Sequence, residues 1–152
     1  MTIAIDFDGT CVTHEFPEIG RDLGATTTLK TLVDNGHKLI LNTMRGTNTS
    51  QGNTLEPAIN WFKERGIPLF GINENPTQKR WTNSSKAYAN LYIDDANLGI
   101  PLIKNSMAPD RPYVDWKLVL IDLYNRGCIL DENVSACLKD ILDAQNDLAL
   151  FQ

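Results

Sequence analysis

Thr2-Ile3-Ala4-Ile5-Asp6-Phe7-Asp8-Gly9-Thr10 is the stretch on which the reading of this chain turns. Residues 2–7 form a short apolar, β-branched run that reads as a buried strand, and the run stops abruptly in acids and a glycine. Asp6 and Asp8 occupy alternate positions, so their side chains leave the strand on the same side. Gly9 lets the backbone turn sharply and approach a ligand closely.

Outward from this strand the pattern alternates. Residues 25–35 place Leu29, Leu32 and Val33 on one helical face and stop at Gly36, and residues 38–43 (KLILNT) read as the next strand. Leu55, Ala58, Ile59 and Phe62 then make an i, i+3, i+4, i+7 stripe that ends at Gly66. Residues 67–72 (IPLFGI) read as a third strand, 73–85 as a polar loop, 89–93 (ANLYI) as a fourth strand and 100–103 as a short fifth at the edge. Helices are expected over 113–126 and 132–147. Strand and helix in turn, joined by short glycine turns, are the βαβ signature. The expectation is an α/β fold of three layers, Rossmann-like, in which a mainly parallel five-stranded sheet carries helices on both faces. Ligands in such sheets sit at the carboxyl ends of the strands.

Composition bounds the rest. The chain has 152 residues, 42% of them hydrophobic and 22% charged, which fits one domain over 1–152 and excludes a collagen-like or wholly disordered polymer. A formal charge of −5 argues against duplex DNA or an anionic membrane as partner, since both need a concentrated positive face. Cys11, Cys128 and Cys137 are odd in number and widely spaced, so neither a disulfide framework nor a zinc site is read. No basic segment with a long apolar core opens the chain, and no run reaches the ~18–20 apolar residues of a membrane span. A cytoplasmic protein is expected.

The polar residues gather at the predicted strand ends. Strand one ends in Asp6 to Thr10, strand two in Asn42-Thr43-Met44-Arg45, and strand four follows Lys86 and ends in Asp94-Asp95. Asp6, Asp8, Asp94 and Asp95 are expected to converge within a few ångströms at one sheet edge. Like charges so placed repel unless a cation sits among them, and a few oxygen ligands suit Mg²⁺ that keeps several waters.

DFDGT, a Thr closing the next strand, a Lys and then an acidic pair resemble, in order, the four motifs of the haloacid dehalogenase superfamily of aspartate-nucleophile phosphatases. The motifs span residues 6 to 95, about sixty per cent of the chain. The resemblance implies that Asp6 attacks phosphorus and forms an aspartyl-phosphate. It implies that Asp8 protonates the leaving oxygen and later deprotonates the attacking water. Mg²⁺ would be held by the Asp6 carboxylate, the Asp8 main-chain carbonyl and Asp94, with Asp95 acting through water or on its neighbour. Thr43, the amide that follows it and Lys86 would grip the phosphoryl oxygens. Lys79, in the same loop region, competes for the lysine role. Gly9, Thr10, Met44 and Arg45 are the expected substrate-binding positions, His14 reads as surface, and Cys11 as a buried filler.

Family members usually choose substrates with an inserted cap. Here 34 residues separate Asp8 from Thr43 and 42 separate Thr43 from Lys86, and ordinary elements already use both stretches. A capless, open site is therefore expected, closed only by short loops such as 11–24 and 73–85 or by a neighbouring subunit of a homo-oligomer. The 57 residues after Asp95 include a D-D-x-x-L-G-x-P-L stretch shared with small capless family members, and Tyr113 and Trp116 there read as packing residues. The function implied is a Mg²⁺-dependent phosphomonoester hydrolase acting on a small phosphorylated metabolite or nucleotide. A phosphotransferase, a nucleic-acid end phosphatase and a non-catalytic phosphate-binding relative are the alternatives. The nucleic-acid reading needs a local basic rim from Lys79, Arg80 and Lys86.

Overall fold

The structure of the protein, a computed structural model, describes residues 1–106, 108 and 110–151. Its elements are β1 (Thr2–Ile5), α1 (Thr26–Asp34), β2 (Lys38–Leu41), α2 (Leu55–Glu64), β3 (Gly71–Ile72), β4 (Leu91–Ile93), β5 (Leu102–Ile103), β6 (Tyr113–Val114), α3 (Trp116–Asn125) and α4 (Asp131–Ala149). A 3₁₀ turn, Gln78–Arg80, lies between β3 and β4.

The parallel sheet has the order β3-β2-β1-β4. β1 is thus interior, with Ile5 opposite both Leu41 and Ile93. The chain steps from β1 to β2 to β3 in one direction and then returns to the far side of β1, so the strand order reverses there. Asp6 leaves β1 at this switch point, where open α/β sheets place their ligands.

The two faces of the sheet are covered differently. Ile3, Ile5, Leu39, Leu41 and Ile93 point to one face and join a single buried cluster with residues of all four α-helices, among them Leu29, Trp61, Phe62, Trp116, Leu120, Cys137 and Ile141. Phe7, Trp61 and Phe62 meet ring to ring with centroids 5.0 to 6.0 Å apart, and aromatic contacts of this kind add to area burial. Ala4, Ile40 and Tyr92 point to the opposite face, where Ala4 and Ile40 are buried as well. There the cover is the connection from β3 to β4. The Tyr92 hydroxyl donates to the Ala87 carbonyl at 2.6 Å and accepts from the Ala89 N–H at 3.1 Å.

Three expectations are corrected. The described residues form a four-stranded parallel sheet, because the expected fifth strand pairs elsewhere: Leu102 and Ile103 run antiparallel to Val114 and Tyr113. The α-helices share one face instead of lining both, since the β3–β4 connection holds only a 3₁₀ turn. Tyr113 and Val114 are strand, and α3 starts at Trp116 because the Asp115 carboxylate accepts the N–H groups of Lys117 and Leu118 at 3.0 and 3.4 Å.

The β5–β6 pair braces the loop that follows β1. The Val114 N–H donates to the Gly9 carbonyl at 2.9 Å, and the indole N–H of the buried Trp116 donates to the Thr10 carbonyl at 2.7 Å. α4 packs against α1 and α3, and the Asp140 carboxylate accepts the Thr27 N–H at 2.8 Å. Among the described residues no helix is long and apolar enough to cross a membrane.

Candidate functional site

Asp6 is fixed first by backbone. Its N–H donates to the Ile93 carbonyl at 3.0 Å, which sets the exits of β1 and β4 side by side. Carboxylate oxygens of Asp6, Asp94 and Asp95 then lie within 4.8 Å of one another. Thr10, fully buried, ties the group together. Its hydroxyl donates to Asp6 Oδ2 at 3.1 Å and accepts the Asp95 N–H at 3.1 Å. Burial pushes the Asp6 carboxyl up to about 7, helped by the charges of Asp94 and Asp95 and opposed by the Phe7 N–H and the Thr10 hydroxyl. Asp95 is also raised, by burial first and by Asp94, against the lowering effect of His14.

Gly9 is required by space and by backbone. Its φ is +83°, and a Cβ there would lie 2.2 Å from His14 Nε2 and 2.8 Å from Asp95 Oδ2. His14 instead occupies that room and meets Asp95 Oδ2 at 3.1 Å. The surface reading of His14 missed this contact. Cys11 is buried as expected, its thiol donating to the Asp6 carbonyl at 3.3 Å, and burial pushes that thiol well up.

Asp8 stands apart from the trio. Arg45 donates from Nε to Asp8 Oδ2 at 2.8 Å and from an NH₂ group to Asp8 Oδ1 at 2.7 Å. Its other N–H groups reach the carbonyls of Pro17, Glu18 and Thr54 at 2.9, 2.7 and 3.2 Å. The expected convergence of four carboxylates is therefore met by three, and Arg45, 2% exposed, is turned inward to Asp8 instead of outward to a ligand.

The remaining predicted residues sit at the same edge with fewer contacts. Thr43 Oγ1 accepts the Arg45 N–H at 3.2 Å, and the Thr43 N–H donates to Asn73 Oδ1 at 2.7 Å, a partner that no motif singles out. The Met44 side chain is exposed. Lys86 holds its ammonium 5.3 Å from the centre of the Tyr92 ring, and it lines a cleft with Asn42 and Asp94. Lys79 is paired with Glu74 at 3.0 Å, whereas Lys86 lines the same cleft as Asp94.

Three carboxylates this close form an all-oxygen donor set with excess negative charge, which fits a hard divalent cation such as Mg²⁺ and not a soft metal.

No family model and no curated protein matches the chain. It is similar to a solved structure of a conserved protein from Bacteroides thetaiotaomicron, with 34% identity over 84% of this chain and 91% of that one and a TM-score of 0.64.

Proposed function

Because the chain belongs to one family with the conserved Bacteroides thetaiotaomicron protein, a kinship that brings no activity with it, we propose a function from the site itself: a Mg²⁺-dependent phosphomonoester hydrolase of the haloacid dehalogenase type. The α/β sheet is then a reduced form of that superfamily's Rossmann-like layer. The observation that carries the reading is the trio of Asp6, Asp94 and Asp95 at the switch point, tied by the Thr10 hydroxyl.

In this reading an Asp6 carboxylate oxygen attacks phosphorus, the bond to the leaving oxygen breaks, and an aspartyl-phosphate remains. Water then attacks the same phosphorus, the Asp6–phosphorus linkage breaks and phosphate departs. Thr10 fixes the rotation of the Asp6 carboxylate, and the missing Cβ at Gly9 gives His14 the room to meet Asp95. Asp6 and Asp94, with Asp95 beside them, would hold Mg²⁺, which when bound neutralises the phosphoryl oxygens facing an anionic nucleophile. Lys86 and the Thr43 hydroxyl supply further donors for those oxygens. Asp8, held by Arg45, is the carboxyl left to serve the leaving group and the water.

Turnover of p-nitrophenyl phosphate in millimolar Mg²⁺ tests the assignment. Asp6→Asn should lower kcat by more than about a thousandfold, since the covalent route is lost. A variant within about tenfold of wild type would overturn the nucleophile assignment.

A further inference from the structure

A cleft of about 990 Å³ is lined by Asn42, Lys86 and Asp94 and by residues along β4. Residues 90 to 94 line it in unbroken succession. Successive side chains of a strand alternate between faces, so a cavity that touches all of them lies along the strand's edge, where the backbone is. β4 is an outer strand of the parallel sheet, and the facing wall is the 97–101 segment with one side of α3 from Leu118 to Arg126. The segment expected as a fifth, edge strand does not cover it, since Leu102 and Ile103 are committed to β6.

The backbone at this edge is set to accept. The Ile93 carbonyl takes the Asp6 N–H, which turns the preceding carbonyl, that of Tyr92, to the outer side. There it accepts the Asn97 side-chain amide at 2.9 Å, a displaceable donor of the same chemistry as a peptide N–H. From residue 90 to residue 94 the edge is ~13 Å long, about four residues of extended chain. The cleft is at the upper end of small-molecule sites, which run to roughly 1,000 Å³.

We propose that this edge takes an extended polypeptide as an added strand, and that the phosphoryl group delivered to Asp6 is carried on such a segment. The substrate is then a phosphorylated peptide rather than a free metabolite. Strand addition supplies affinity through main-chain hydrogen bonds, and the Asp94 end of the cleft, beside Asp6, receives the phosphorylated side chain. This inference rests on the phosphatase reading of Asp6 and specifies its substrate class.

The test compares an acetylated, amidated nonapeptide carrying central phosphoserine with free phosphoserine, using wild-type protein and Mg²⁺. The nonapeptide should have a kcat/KM at least about tenfold higher, through KM. N-methylation of its flanking backbone amides should abolish the gain. So should Leu118→Trp, which narrows the cleft from a half-exposed position on α3 and should leave p-nitrophenyl phosphate turnover unchanged. Equal kcat/KM values, a gain that survives N-methylation, or a nucleoside monophosphate outrunning the nonapeptide would overturn the proposal. Polarisation of a fluorescein-labelled nonapeptide on Asp6→Asn reads binding without turnover. Binding that Leu118→Trp weakens, with no ester hydrolysed by wild type, sinks the phosphatase reading but leaves the edge site. No binding, with p-nitrophenyl phosphate hydrolysed, sinks the edge site alone.

Discussion

Arg45 has no donor left for a ligand. Its guanidinium joins the exit of β1 at Asp8 to the carbonyls of Pro17, Glu18 and Thr54, so one side chain fastens the 11–24 loop and the start of α2 to the candidate site. The Asp8 side chain is 18% exposed, and removing its partner would leave a largely buried carboxylate unpaired beside three undonated carbonyls. Breaking a buried pair from one side costs about 3–5 kcal/mol, or roughly 10 °C in Tm for a domain of this size. Arg45→Met should show that loss by thermal unfolding, and Arg45→Met with Asp8→Asn should recover part of it, because the stranded charge is gone. A single variant within 2–3 °C of wild type, on the order of 1 kcal/mol, would mean the pair contributes little.

At the scale of elements, the β5–β6 pair and α3 hold the motif loop from behind. Trp116→Phe keeps an aromatic ring, though a smaller one, and removes the indole N–H that meets the Thr10 carbonyl. A buried acceptor left without its donor costs about 1–3 kcal/mol. Since Thr10 also bridges Asp6 and Asp95, the Mg²⁺ concentration at half-maximal stabilisation should rise several-fold in this variant. Urea midpoints with and without Mg²⁺ measure both effects, and an unchanged Mg²⁺ response would separate the brace from the site. The sequence showed much of this scaffold and concealed the brace. β1, α1, β2 and α2 were legible because Ile3 to Phe7 and the Leu29–Leu32 and Leu55–Phe62 stripes carry clear periods. β3 was overextended, since Pro68 offers no N–H and the ladder holds only Gly71 and Ile72. β6 is two residues long, too short for any period, and its sign was the aromatic and β-branched pair set before the Asp115 cap. In the site, Asp6, Thr10, Asp94 and Asp95 could be found by motif and strand end. The Asp8–Arg45 and His14–Asp95 contacts could not, because they join positions 37 and 81 residues apart and no local pattern announces them.

For the whole molecule, the acidic trio costs stability that a bound cation would return. The Asp6 carboxyl is raised from 3.8 to about 7 in the folded chain, so folding favours its protonated form. Below about pH 4 the group is protonated in both states and costs nothing; the cost grows as pH rises and is complete above about pH 7. Its size is on the order of 4 kcal/mol, since a tenfold change in proton affinity is worth about 1.4 kcal/mol. With EDTA present, Asp6→Asn should match wild type near pH 4 and exceed it in Tm at pH 8. Mg²⁺ should narrow that gap at pH 8, since a ligand at a hundred times its Kd adds ~2.7 kcal/mol, or about 5–10 °C, to wild type only. Asp8→Asn should keep the Mg²⁺ response, and Asp94→Ala should lose most of it. A wild-type Tm indifferent to millimolar Mg²⁺ would refute the shared site.

The interior place of β1 also dictates when the trio comes into being. Thr2 meets Lys38 after 36 positions of chain, whereas Ile3 meets Leu91 only after 88. Closing the longer loop costs somewhat under 1 kcal/mol more in entropy, and it brings Asp94 and Asp95 against Asp6 while all three repel. The β1–β2 ribbon should therefore nucleate, with β4 docking after the transition state has passed. Interactions absent from that state act on escape from the native basin and not on arrival. Stopped-flow traces should show Mg²⁺ slowing unfolding while the refolding limb barely moves; a refolding rate that climbs with Mg²⁺ would put the acidic trio inside the folding nucleus.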